Sequence, residues 1–179
     1  MKFKYYFINL ITTITCSCKS SYYHVAKFNS NAEVVKRGKI ESVIFSKDAN
    51  CFLYDFGELR FTPSVDDINM AEYILQRNIQ SANTMHNQGD GCPLIHKNLK
   101  NYRRQYYGYI DSEGNKILYV NFLWAKYSIF DRLKGYHKDD SHAWKSERVI
   151  VLDGCSNYWS IEINLSQQKL QHMYINGSA

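Results

Sequence analysis

A cysteine that follows a glycine is the first residue in this chain whose type could do covalent chemistry. Asp153-Gly154-Cys155 lies between two strand-like runs. A Cys155 thiolate with a histidine base in reach would be a nucleophile for hydrolysis. The same three residues also make a tight turn, with Asp153 bonding its own backbone and Gly154 taking positive φ, and the turn is the preferred reading. His137, Asp139, Asp140 and His142 have metal-friendly side chains, but their spacing fits no zinc signature. They read as a solvated loop, with a hydrolytic role for 137–142 as the alternative. His86, His96 and His172 are scattered and read as surface or sheet-edge residues. No coherent catalytic set, metal site or cofactor motif is expected.

Tyrosine is the more promising chemistry, with fifteen in 179 residues. Tyr107, Tyr109, Tyr119, Tyr158 and Tyr174 should alternate across neighbouring strands. One helix cannot cover both faces of a sheet, so a Tyr-rich face would be left to stack on sugars or grip a protein partner. Cross-strand packing that only stabilises the sheet is the competing reading.

The elements that must hold these residues follow from periodicity. Trp159, Ile161, Ile163 and Leu165 fall on one face of a strand, and Tyr158, Ser160, Glu162 and Asn164 on the other. Strands are predicted over 40–46, 51–56, 102–111, 116–124, 147–153, 158–165 and 169–175. A helix is predicted from Thr62-Pro63 to near Asn83, with Thr62 as cap and Pro63 at the first helical position. Val65, Ile68, Ala71, Leu75, Ile79 and Ala82 give it one apolar stripe. Residues 84–101 read as a loop and 126–146 as a polar insertion. The expected fold is α+β: one main helix packed on a curled antiparallel meander, cystatin- or NTF2-like in outline.

Composition fits one folded domain, with 45% apolar residues. The formal charge is +5. Two of the cations, Lys2 and Lys4, head a short apolar stretch that reads as an export signal over 1–17. Without them the balance is 20 basic against 17 acidic residues, too mild for nucleic acid. The cluster Lys97, Lys100, Arg103 and Arg104 reads as a solvated strand entry, with an anion site as the lesser alternative. Residues 18–38 are expected as a tether and 39–179 as the domain. Cys51, Cys92 and Cys155 remain after the leader, and there is no CxxC. An exported chain admits one disulfide; Cys92–Cys155 is the first choice because both lie in loops, and the pairing stays open.

Two resemblances add to this. Thr15-Cys16-Ser17-Cys18-Lys19 resembles the lipobox of bacterial lipoproteins, which implies acylation of Cys18, with Cys16 as alternative. The Lys after Cys18, where an Asp would mark retention, implies the outer membrane. Asp153-Gly154, Tyr158-Trp159 and Asn176-Gly177-Ser178-Ala179 resemble a family of small uncharacterised bacterial proteins, many with lipoprotein signals; Cys155 stands where a second Gly is usual. That likeness implies fold boundaries and no chemistry. The expectation is an exported, lipid-anchored, non-enzymatic module of the cell envelope that binds protein, peptide or glycan. An immunity-type inhibitor is a further reading.

Overall fold

Among the described residues, eight strands form one open, mostly antiparallel sheet with one long helix on one face. The computed structural model describes residues 21–50, 59–83, 85–126, 133 and 142–177. The strands are β1 (Tyr23–Asn29), β2 (Ala32–Arg37), β3 (Ile40–Phe45), β4 (Arg60–Phe61), β5 (Tyr102–Ile110), β6 (Lys116–Trp124), β7 (Tyr158–Asn164) and β8 (Lys169–Ile175). Their order across the sheet is β1-β2-β3-β5-β6-β7-β8, with β4 on β5. Among the described residues, the helices with described bounds are α1 (Val65–Ala82) and two single turns, α2 (Ile95–Asn98) and α3 (Ala143–Ser146). The strand expected over 51–56 lies outside the described residues.

The tether expected over 18–38 is corrected from residue 22 onward. Tyr22 is buried, and β1 and β2 form a hairpin at the sheet edge. The pattern hid this because Val34 and Val35 are both buried, one on each face, and a strand covered on both sides loses its period of two.

The all-antiparallel expectation fails at one pair: β3 and β5 run parallel. The chain leaves β3 at one end and returns through α1 to start β5 beside the start of β3. A helical crossover of this kind is what a parallel pair requires.

The helix begins two residues later than expected. Ser64, not Thr62, is the cap. Its Oγ accepts from Asp67 N at 3.1 Å, and Asp67 Oδ2 accepts from Ser64 N at 2.9 Å, a reciprocal capping box. Thr62 Oγ1 accepts from Lys47 N instead. Ile68, Ala71, Ile74, Leu75 and Ile79 bury against Leu118, Val120, Phe122, Ile161 and Ile163. Trp159 stacks on Phe122 with ring centroids 3.7 Å apart.

The opposite face has its own apolar cluster, with Val43, Phe45, Tyr107, Tyr119 and Leu123 beneath Trp144 of α3. Residues 147–152 cross this face without forming the strand expected over 147–153. Their backbone groups bond to side chains instead of a ladder. Gln105 Nε2 donates to Trp144 O at 2.7 Å and Glu147 O at 2.8 Å, and Gln105 Oε1 accepts from Val149 N at 3.0 Å. Asn121 Nδ2 donates to Val149 O and Gln105 Oε1, both at 2.9 Å. Two buried amides thus satisfy backbone groups that would otherwise need a strand partner.

Candidate functional site: a tyrosine-lined groove

Where residues 148–152 cross the sheet they leave a groove of about 490 Å³ between themselves, β6–β7 and β8. Tyr119 forms part of the floor. Arg148 donates from Nη2 to the Tyr119 hydroxyl at 2.7 Å, and its guanidinium lies 5.0 Å from that ring's centroid. Asn176 closes one end by donating from Nδ2 to Val151 O and, at 3.2 Å, to Asp153 O. The far wall is β8. His172 and Met173 together face Ile161, so the strand bulges there, and His172 takes φ 48°. The bulge sets the His172 ring against buried Glu162, Nδ1 to Oε2 2.6 Å. The rim is apolar and wet: Leu152 is 84% exposed, Tyr174 62% and Ile150 45%.

The structure divides the five expected tyrosines. Tyr119, Tyr158 and Tyr174 line this groove. Tyr107 does not: it is fully buried and stacks on Phe45 at 4.6 Å. Tyr109 is half-buried and pairs across to Arg60 of β4. Tyr119 itself shows only 3% of its surface. The open Tyr-rich face is therefore corrected: Tyr107 and Tyr119 are buried in the cluster beneath Trp144 of α3, while Tyr174 of β8 stays exposed.

Cys155 is bonded to Cys92, the pair the loop positions put first, so it carries no thiol. The glycine turn is present, with Gly154 at φ 101° and Cys155 at φ 47°. Around the disulfide, Cys155 N donates to Gly177 O at 2.8 Å, Ser156 N to Asn87 O at 3.1 Å, and the Tyr102 hydroxyl to Ser156 O at 2.7 Å. His142 precedes α3 and stacks on Phe28 with centroids 5.8 Å apart. His137, Asp139 and Asp140 lie outside the described residues, as do Cys16, Cys18, Ser178 and Ala179. Among the described residues no group of His, Cys, Asp and Glu is placed to hold a metal ion.

Arg104 departs from the solvated cluster expected of it. It is fully buried and pairs with Glu72 of α1, Nε to Oε1 2.9 Å. Arg37 reaches the same carboxylate at 2.7 Å and the Tyr106 hydroxyl donates to it at 2.9 Å. Burial raises the pKa of Glu72, but Arg104 and Arg37 pull it down further, so it stays below its ordinary 4.5. Burial, then the Glu72 charge, push the Tyr106 hydroxyl well above the phenol range. This buried knot ties α1 to β2 and β5.

Sequence reasoning missed Gln105, Asn121, Arg148 and Leu152. A signal existed for Asn121: a lone amide inside the apolar run 117–124 marks a buried hydrogen-bonding task. No family model, curated protein or solved structure matches the chain. Fold and site define an α+β protein with a one-helix layer and a half-open groove. Among the described residues no helix is long and apolar enough to cross a membrane.

Proposed function

We propose that this chain is an exported, lipid-anchored protein of the cell envelope, the outer membrane in a Gram-negative cell. Its folded domain is a non-enzymatic binding module for a protein or peptide. The observation that carries the binding role is the groove, with exposed Leu152, Ile150 and Tyr174 on its rim and Arg148 within. Large apolar side chains left exposed together mark a protein-interaction surface, and Tyr and Arg are enriched among the residues that carry binding energy at such surfaces. The anchoring role rests on the leader and on Cys18, with Cys16 as alternative. The Cys92–Cys155 disulfide supports an oxidising compartment. A glycan stacked on Tyr174 is the second reading, favoured by that ring's exposure. The immunity-type inhibitor is one form of the leading reading. Hydrolysis through Cys155 loses support because the sulfur is bonded. The cystatin- or NTF2-like outline belongs to this proposal too, supported by one long helix on one sheet face.

The test is cross-linked capture from envelope fractions with the wild type, Leu152→Asp and Tyr174→Ala. The reading expects one stoichiometric protein partner, lost in both variants at unchanged thermal stability. A partner retained by both variants removes the groove from the account. A partner displaced by free glycan transfers the site to the second reading.

A further inference from the structure

One end of the sheet collects cations from separate segments of the chain. Lys39 sits in the β2–β3 turn, Lys100 leads into β5, Arg103 is the second residue of β5, and Lys126 follows β6. With Glu41 they line a cleft of about 600 Å³. The Glu41 carboxylate is already matched, with Lys145 at 3.0 Å and Lys36 at 3.8 Å. Arg103 lies 5.0 Å from the Trp144 ring centroid. Among the described residues Lys39, Lys100 and Lys126 form no ion pair. Asp90 and Asp153, also toward this end, belong to the disulfide-linked loops on the β7–β8 side.

The chain enters the fold at the same end. Tyr23 pairs with Lys36 across β1–β2, and Arg37 lies 4.9 Å over the Tyr22 ring. Tyr22 is fixed there: its N–H donates to Asn69 Oδ1 at 2.7 Å. Three residues separate Cys18 from Tyr22. At full extension four peptide steps span only about 14 Å. An acyl chain on Cys18 would therefore hold this end of the sheet against the bilayer, about as close as the range of electrostatic attraction in salt.

We propose that this end of the sheet is a membrane-docking face, with Lys39, Lys100, Arg103 and Lys126 seated among anionic phosphate headgroups. The proposal rests on the lipid-anchor reading. It adds an orientation: the domain stands on this end. An acyl chain and a basic patch acting together make a durable surface attachment.

The test uses mature protein purified from membranes and reconstituted in phosphatidylcholine vesicles with or without phosphatidylglycerol. Amine labelling is read lysine by lysine by mass spectrometry. The account expects labelling of Lys39, Lys100 and Lys126 to fall about fivefold in the anionic vesicles and to recover in high salt. Lys47 and Lys169, at the opposite end, should be unchanged. Equal labelling in both vesicles overturns the docking face. So does equal protection by soluble glycerophosphoglycerol without vesicles, which would make the cleft an anion pocket. Intact mass of the same sample separates the two claims: acylated protein without protection sinks the docking face and leaves the anchor. Protein without acyl chains that is still protected on anionic vesicles sinks the anchor and supports the face.

Discussion

Glu72 is the carboxylate on which a buried charge network converges. It is buried with Arg104, Arg37 and Tyr106 all aimed at it. Removing one member of a buried charge network strands the others, at a cost of about 3–5 kcal/mol. Glu72→Ala should lose that much in urea denaturation, and a loss under about 1 kcal/mol would contradict the arrangement. The pH dependence follows from the depressed pKa. Folding holds Glu72 ionised more strongly than the unfolded chain does, so its contribution is complete above pH 4.5 and declines as the pH falls below it. Acid titration of the wild type should therefore show stability falling below pH 4.5, and Glu72→Gln should flatten that limb. The sequence concealed this network because Arg104 closes a run of cations after Lys100 and Arg103, and charge runs usually face water. The alternation of β5 separates them: Tyr102, Arg104 and Tyr106 share the helix face, and Arg103, Gln105 and Tyr107 share the other.

At the scale of elements, the boundaries of β6 and β8 match the periodicity residue for residue, and those of β7 to within one. Each is flanked by a turn with its own chemistry. Asp111 Oδ1, for example, accepts from Glu113 N at 2.9 Å and Asn115 N at 2.8 Å before β6. Residues 147–152 misled for a physical reason. Val149 to Leu152 is an apolar run, and such a run suits a covering segment as well as a strand. The deciding information lay over forty residues away, in Gln105. Gln105→Ala should therefore release this segment. The Val149 amide should lose hydrogen-exchange protection while amides of β6 keep theirs, at about 1–3 kcal/mol in stability. Retained protection at Val149 would show that the apolar contacts alone suffice. Gly108 makes a second element-level case. A Cβ there would lie 2.7 Å from Phe61 O and 2.8 Å from its ring, so β4 can pair with β5 only across a glycine. Gly108→Ala should cost about 1–3 kcal/mol by thermal unfolding, and a neutral result would mean β4 shifts freely.

For the whole molecule, the disulfide and the two-sided sheet decide the character of the fold. Cys92 and Cys155 are 63 residues apart, and closing a loop of that length stabilises the native state by about 4 kcal/mol in the chain-entropy account. Denaturation with and without reductant should show most of that difference, and coincident curves would mean the bond constrains little. The α+β class and the helix were legible in the sequence, because an 18-residue amphipathic run and several alternating runs admit few arrangements. The groove was not. It exists because residues 148–152 lie over β6–β7 and stop short of β8, a long-range fact that no local pattern carries. The tyrosines marked its neighbourhood, with Tyr119, Tyr158 and Tyr174 at the groove and Tyr107 in the core.

The envelope location and the lipid anchor both require the chain to leave the cytoplasm and stay on a membrane. Intact mass of the protein in fractionated cells tests that most directly. The account predicts a membrane-fraction species that begins at Cys18, or at Cys16, and carries the added mass of acyl chains. A chain with Met1 still attached and no acyl mass, recovered from the soluble cell interior, would contradict it.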